Sequence, residues 1–305
     1  MNKKNIAKAL KSKLKDWIKH IDNEEVVKAI KKDAIVTGGA IVSLLNGEQP
    51  NDYDIYFKTK ETCLKVAKYY AEQWNLMHPN KPHVRVEVEK GKRNEQGEMV
   101  NDDRITCFIG SVGIAAEDEE NCIDDTSEPI YDGESYTEEE CDQSDKPKYR
   151  PRYFSTNAIS LSDKIQIVIR FYGPVDEIHK NYDFAHCTCS YDFDNNEVTL
   201  PEKALECIIN KELYYVGSKY PLCSIIRARK FITRGWHINA GQYLKMCLQL
   251  NELNLRDFNT FKDQLAGVDS AYFNGAISNM EKRMQDDPSF EIDNTYLFEV
   301  INRIF

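Results

Sequence analysis

The sequence predicts a mixed α/β domain over residues 1–198, followed by a mainly α-helical domain over residues 199–305. Three observations lead to this fold class. Strand-like and helix-like runs alternate in the first part, with apolar residues at every second or every third to fourth position. Beyond Pro201 the apolar periodicity is helical. Within the first domain, the stretch 117–148 has few aliphatic residues, so we interpret it as a mobile insertion.

The elements follow from the pattern of apolar residues along the chain. An amphipathic, lysine-rich helix opens it, and packing against the domain is its expected role, although such a helix can also touch RNA or a membrane. The next elements are a short helix "EEVVKAIKK", the strand "AIVTG" and a helix over 61–75. "HVRVEVEK" and "RITCFIGSVGIAA" predict strands, "RYFSTNAISLSDKIQIVIRFYG" predicts two more, and "NYDFAHCTCSYDF" predicts another after a helical turn "VDEIHK".

Charge and cysteine content restrict the class of protein. The net charge of −10 comes from residues 117–142, which hold thirteen acidic residues and no Lys or Arg; the remainder has 37 acidic and 40 basic residues. The acidity therefore does not exclude a nucleic-acid partner. Nine cysteines without framework spacing indicate reduced thiols in a cytoplasm, and no apolar run is long enough for a transmembrane helix.

The segment "VTGGAIVSLLNGEQPNDYDIYF", residues 36–57, contains the candidate site. Gly38 and Gly39 stand between a strand and a helix, where the absence of Cβ atoms lets a phosphate approach the backbone. The N–H groups at the start of the helix then point at that anion. Asn46-Gly47 ends the helix. This pattern predicts a phosphate cradle.

Two carboxylates follow on the next strand. Asp52 and Asp54 are two residues apart, so their side chains share one face of the strand. Paired carboxylates repel each other unless a cation binds between them, and Mg²⁺ combines carboxylate ligands with the phosphates of a nucleotide. Taken separately, the glycine pair could form a simple turn, and the two aspartates could lie on a solvated edge of a strand. The combined spacing favours a site for a nucleoside triphosphate.

The glycine pair, followed after twelve intervening residues by Asp-apolar-Asp, resembles the polymerase-β-like nucleotidyltransferase superfamily over residues 30–195. The resemblance implies a palm domain with a mixed sheet, two Mg²⁺ or Mn²⁺ ions, and a third metal-binding carboxylate on a later strand. The candidate is Asp183 in "KNYDFAHCTC", with Asp192 and Asp194 as alternatives. The run of residues 152–189 looks like phage-encoded poly(A)-polymerase-like proteins. The extra basic and aromatic motifs of CCA-adding enzymes are not recognisable in the sequence.

Further candidate nucleotide contacts lie outside the glycine pair. Ser43 belongs to the helix after the glycines, and Asn157 precedes a strand, where a simple turn is the alternative. Basic residues stand at helical spacing at positions Arg227, Lys230 and Arg234. They could bind a triphosphate or an RNA backbone, or they could form a solvated face. His186, Cys187 and Cys189 could suggest zinc, but no second pair of ligands accompanies them, so we interpret the cysteines as lining residues.

These observations predict a metal-dependent nucleotidyltransferase that moves a nucleoside monophosphate from a nucleoside triphosphate to an acceptor hydroxyl. Asp52, Asp54 and Asp183 are the predicted catalytic and metal-binding residues, ATP is the favoured nucleotide, and an RNA 3′ end is the favoured acceptor. The alternatives are modification of tRNA or protein, as in toxin-like members of the superfamily, and a non-catalytic nucleotide-binding or interaction protein. We expect a cytoplasmic location, that of the host if the protein is phage-encoded, and the oligomeric state stays open.

Overall fold

The protein is described here by a computed structural model. It describes residues 1–91, 103–109, 115–116, 147–265, 280, 282–287, 290, 292–293, 295–296 and 299. The predicted insertion, as far as residue 146, lies outside the described residues. Contacts divide the described chain into two compact units. The first holds residues up to 181 and 186–205, and the second holds residues 182–185 and those from 206 onward. The predicted domain division at residue 198 stays a prediction.

An eight-stranded mixed sheet organises the first unit, in the order β10-β9-β1-β2-β8-β7-β6-β5. β2 and β8 pair in parallel, and the other neighbours pair antiparallel. β3 and β4 form a separate antiparallel pair. The strands are β1 (Ala34–Thr37), β2 (Tyr53–Phe57), β3 (Val84–Glu89), β4 (Arg104–Ile109), β5 (Ala115–Ala116), β6 (Pro151–Phe154), β7 (Ala158–Leu161), β8 (Ile165–Val168), β9 (Ser190–Asp192) and β10 (Glu197–Thr199).

Three of the five helices in the described part of this unit begin at side-chain caps. The five helices are α1 (Lys3–Ile18), α2 (Glu24–Asp33), α3 (Gly39–Asn46), α4 (Lys60–Met77) and α5 (Val175–His179). Side chains of Asn2, Asn23 and Thr59 accept backbone N–H groups at the starts of α1, α2 and α4. α1 buries its apolar face, and its Trp17 donates from Nε1 to the Tyr70 hydroxyl of α4 at 2.6 Å. The lysine-rich helix therefore packs on the domain, as predicted.

Two predicted strands differ from the structure. The run 152–173 forms three strands, because Ser155 Oγ accepts the N–H groups of Asn157 and Ala158 and closes a turn between β6 and β7. The predicted strand over 181–193 is wrong except at its end. It is a bend at Asp183, a 3-10 turn over Ala185–Cys187 and then β9.

The second unit is helical in its described part, which confirms the predicted class. Its helices are α7 (Pro221–Thr233), α8 (Ala240–Asn251) and α9 (Phe258–Leu265), and α6 (Glu202–Asn210) runs across the boundary between the units. A small core joins α7, α9 and later residues: Leu222, Ile226, Phe261, Leu265, Met280 and Ile292. Within the described ranges, no helix combines the length and apolar character needed to span a bilayer.

Candidate functional site

The glycine pair connects β1 directly to α3. Gly38 has φ 92° and ψ −147°, a backbone conformation open essentially to glycine alone, and Gly39 is the first residue of the helix. Gly47 ends α3 in the left-handed conformation with φ 80°, as the sequence predicts. A Cβ atom on Gly39 would meet no protein atom within 4 Å. The space beside Gly39 is therefore open to a ligand, and α3 supplies free N–H groups there.

The two glycines should respond differently to substitution. We expect Gly38→Ala to lower the free energy of unfolding by about 1–3 kcal/mol, because alanine rarely adopts that backbone conformation. Gly39→Ala should leave stability unchanged or raise it by up to about 1 kcal/mol, since alanine suits a helix better. Gly39→Ala should nevertheless weaken nucleoside triphosphate binding, because its methyl group would occupy the phosphate approach. Urea unfolding and calorimetric titration of ATP measure the two effects. Equal stability for Gly38→Ala, or unchanged ATP affinity for Gly39→Ala, would contradict the cradle.

The paired carboxylates lie at the start of β2. Asp52 directly precedes the strand, Asp54 is its second residue, and both are half-buried. Tyr53 between them faces α1, where the Lys13 amine lies 5.2 Å from the centre of its ring. Because side chains alternate along a strand, Asp52 and Asp54 point to the opposite face of the sheet. The predicted shared face of the carboxylates agrees with this geometry.

A row of polar residues crosses the sheet at Asp54. The register Val36↔Ile55 brings Thr37, the last residue before the glycines, opposite Asp54. Asp54 pairs with Gln166 of the parallel strand β8. In-register neighbours on adjacent strands share a face, so the row is continuous across six strands. From β9 to β6 it comprises Ser190, Thr37, Asp54, Gln166, Ser160 and Tyr153.

Gln166 is the site residue that the sequence analysis missed. It is half-buried between the fully buried Ile165 and Ile167. Its partner in the β2–β8 register is Asp54, a candidate metal ligand. Its amide carbonyl is a neutral hard-oxygen ligand, and its NH₂ group can donate to a phosphate. The signal available in the sequence was one polar residue alternating with isoleucines in "IQIV". A carboxylate pair beside a neutral amide has a charge of −2, which balances a single divalent cation.

Thr37 and His179 form a hydrogen bond beside this row. Thr37 Oγ1 donates to the carbonyl oxygen of Cys189 at 2.8 Å, and His179 Nε2 lies 2.8 Å from the same oxygen Oγ1. With the threonine proton committed to Cys189, Nε2 of His179 donates, and the neutral ring keeps its lone pair on Nδ1. Burial lowers the pKa of His179, while Asp176 acts in the opposite direction. No local pattern in the sequence indicates this pair, because the two residues are 142 positions apart.

Asp183 has a different environment from the one predicted. It lies in a bend and not in a core strand, and it is 8 % exposed. Arg227 of α7 donates from Nη1 to Asp183 Oδ2 at 2.7 Å, which gives the carboxylate an ion-pair partner inside the second unit. Phe184 turns inward against Tyr215 and Phe231, so it anchors a bend and not a strand. A metal-binding role for Asp183 stays a prediction.

The remaining predicted contacts are dispersed over the two units. Ser43 is half-buried in α3, and Asn157 belongs to the turn before β7, where its carbonyl oxygen accepts from Ile169 and Arg170. Lys230 lies on α7 with Arg227, but Arg234 follows the end of that helix. Arg234 is the C-cap residue of α7, and the shared basic face stays a prediction. Their contact with a nucleotide stays a prediction.

The zinc alternative does not gain support. Cys189 is fully buried, and burial raises the pKa of its thiol to about 12, which disfavours the thiolate that a metal needs. His186 Nε2 lies 3.2 Å from Cys187 Sγ. Among the described residues, no three His, Cys, Asp or Glu side chains meet as a metal-binding group. Asp192, an alternative third carboxylate, is paired with Lys58 at 2.8 Å.

Comparison with known proteins identifies the family. The model of the Gabija anti-defense 2 family matches residues 8–211, which is most of the chain. The chain belongs to the Gabija anti-defense 2 family. Gabija anti-defense 2 of Bacillus phage SPbetaL7 is 20 % identical over 292 residues, which cover 92 % of this chain and 55 % of the phage protein. The chain thus spans about half the length of that relative.

Two solved structures resemble the chain weakly. The Thermotoga maritima CCA-adding enzyme complexed with tRNA matches 86 % of this chain and 53 % of its own, at 11 % identity and a TM-score of 0.38. The Bacillus stearothermophilus CCA-adding enzyme in complex with CTP matches 79 % and 47 %, at 12 % identity and a TM-score of 0.36. Similarity at this level carries no argument about the activity of the family member described here.

Proposed function

We propose that this Gabija anti-defense 2 family member is a metal-dependent nucleotidyltransferase. It transfers a nucleoside monophosphate, with ATP as the favoured donor, to an acceptor hydroxyl at an RNA 3′ end. One observation carries the proposal: the β1–β2 register aligns the start of the glycine turn with Asp54. An anion cradle and a pair of cation-binding carboxylates are thereby formed side by side on adjacent strands. A triphosphate with its divalent cation needs both.

The donor set fits Mg²⁺ or Mn²⁺. Asp52 and Asp54 would hold the ion, with the Gln166 amide beside them on the next strand. The bound metal supplies charge neutralisation at the phosphates and lowers the pKa of the attacking hydroxyl. The chain orients the triphosphate through the α3 N–H groups, and the Thr37–His179 hydrogen bond fixes the end of β1 from which the glycine turn starts. Asp183 as a third ligand rests on the resemblance alone, and Arg227 competes for its carboxylate.

The family name connects this chemistry with resistance to a defence system called Gabija. Nucleotidyl transfer can serve such a role by modifying an RNA or a protein of the phage or of the host. RNA is favoured here by the resemblance to poly(A)-polymerase-like proteins and by the basic balance of the chain outside residues 117–142. By the same reasoning, the protein would come from a phage and would act in the host cytoplasm.

A second candidate function is nucleotide binding without turnover. It is favoured by Gln166, a neutral residue in register with Asp54, together with the ion pair that engages Asp183. A site with two carboxylates binds one cation with a nucleotide more readily than it assembles a second ion. The anti-defense role would then consist of retaining a nucleotide.

Incubation with each labelled nucleoside triphosphate in turn separates the two functions. The reaction contains Mg²⁺ or Mn²⁺, total RNA and total protein, and the products are resolved by gel. We expect label in RNA, most strongly with ATP, and none when EDTA is added. Label in protein would show that the acceptor is a protein hydroxyl. Nucleotide retained on the chain without covalent label would establish the binding function instead, and absence of both would refute the site.

A further inference from the structure

A row of five lysines runs along α1 beside its buried face; four of them are exposed and Lys11 is half-buried. The lysine face consists of Lys4, Lys8, Lys11, Lys15 and Lys19. These positions are three or four residues apart, so they line up on one side of the helix. At 1.5 Å per residue, the row extends over about 22 Å from the first lysine to the last. Apolar residues on the other side, such as Leu10 and Leu14, are fully buried in the first unit.

Two carboxylates, those of Asp16 and Asp163, line a cavity that Lys15 and Lys19 also line. In the part of the chain that the structure describes, none of the five amines of the lysine face lies within ion-pair distance of a carboxylate. Lysines elsewhere in the same unit do have such partners: Lys28 pairs with Glu24, and Lys65 pairs with Glu25. The acid nearest in sequence, Asp16, accepts a hydrogen bond from the Tyr149 hydroxyl at 2.9 Å. Among the described residues, the face therefore carries five like charges that make no ion pair, four of them on exposed side chains.

That open cavity, of about 800 Å³, adjoins the C-terminal end of the lysine face. Lys15 and Lys19 form one wall, and Lys148 and Asp163 lie on the segments across from them. Three non-glycine residues on those segments have left-handed backbones: Tyr149 (φ 57°), Asp163 (φ 59°) and Lys164 (φ 63°). Such conformations persist only where the surrounding structure holds them, and they concentrate at ligand sites.

The Lys13 amine fixes the floor of the cavity. It donates to the carbonyl oxygen of Asp163 and lies 5.0 Å from the centre of the Tyr149 ring and 5.2 Å from that of Tyr53. Burial lowers the pKa of this amine, while Asp163 and Asp16 act in the opposite direction. Lys13 is therefore a structural contact, and the exposed lysines around it remain available to a partner.

We propose that the lysine face and the adjoining cavity bind the phosphate backbone of single-stranded RNA. A linear series of cations spaced by one helical turn suits a polyelectrolyte, whose counterions are released on binding. A protein partner fits less well, because protein interfaces are depleted in lysine and centred on apolar residues. A membrane surface fits less well still, because a membrane-bound amphipathic helix inserts its apolar face, and α1 already buries that face in the fold.

Fluorescence anisotropy with a labelled 20-nucleotide RNA tests the proposal without nucleotide or metal. The variant Lys4→Gln/Lys8→Gln/Lys11→Gln/Lys15→Gln/Lys19→Gln keeps good helix formers on an exposed face, so circular dichroism and the Tm should not change. We expect the slope of log K against log salt to fall by about 3 to 4, since each phosphate contact on a single strand contributes about 0.7. Affinity at low salt should fall at least tenfold.

The control carries the same change in charge elsewhere in the first unit. Lysines of α2 and α4 serve for this: Lys28→Gln/Lys31→Gln/Lys32→Gln/Lys65→Gln/Lys68→Gln. We expect this variant to keep most of the salt slope. Equal loss in both variants would show that net charge alone acts and would overturn the proposal. Binding of the unmodified chain to phosphatidylserine vesicles but not to RNA would overturn it too. Because no turnover is measured, the RNA surface can stand or fall independently of nucleotidyl transfer.

Discussion

Replacing Asp54 with Asn should lower nucleotidyl transfer by two to three orders of magnitude and leave the fold intact. The amide keeps the shape of the side chain but removes one negative charge from the candidate metal site. Metal-assisted charge stabilisation amounts to several kcal/mol, and each 1.4 kcal/mol corresponds to a factor of ten in rate. Stability should be equal or slightly higher, because repulsion between Asp52 and Asp54 is relieved. Initial rates with labelled ATP, Mn²⁺ titration and urea unfolding measure the three quantities.

Asp194→Asn is the matched control for this prediction. Asp194 is exposed in the same unit and was an alternative ligand on sequence grounds, so the same chemical change there should leave rate and metal affinity unaltered. The double variant Asp52→Asn/Asp54→Asn should lose little more than either single one, because the two carboxylates act as one unit. Full transfer by Asp54→Asn would remove the carboxylate pair from the reaction.

Local rules in the sequence were sufficient to predict the turn and the carboxylate pair. Gly38 and Gly47 adopt backbone conformations that few other residues tolerate, so their positions in the chain mark the start and the end of α3. Alternation along β2 requires only the period of two and the apolar residues around Asp54. Both features depend on residues that are neighbours in sequence.

Features that depend on distant pairing could not be predicted in the same way. Gln166 becomes a neighbour of Asp54 through a parallel strand pair that spans 112 residues of chain, and no local pattern specifies that register. The bend at Asp183 depends on Arg227 and Tyr215, which lie on the chain after it. "NYDF" has the composition of a strand, and long-range packing overrides that preference.

The last prediction concerns which residue completes the metal site, Gln166 or Asp183. Gln166→Glu would add a third carboxylate in register with Asp54. Without metal, repulsion among the carboxylates should lower the Tm and raise their pKa values. With Mn²⁺ present, the added ligand should raise metal affinity at least tenfold, and ligand binding should restore the Tm. Gln166→Met, which is similar in size and has no amide, controls for packing and should bind metal no better than the unmodified chain.

Asp183→Asn should behave in the opposite way. It weakens the ion pair with Arg227, which is largely withdrawn from solvent on the Asp183 side, so we expect a loss of about 1–3 kcal/mol in the free energy of unfolding. If Gln166 and not Asp183 is the residue beside the metal, the metal affinity should not change. In Asp183→Asn/Arg227→Met the loss should be smaller than the sum of the single losses, because the two side chains act as a pair. If Asp183→Asn instead abolished Mn²⁺ binding at unaltered stability, and Gln166→Glu had no effect on it, Asp183 would be the third ligand that the superfamily resemblance implies. The neutral amide beside Asp54 would then have only a packing role.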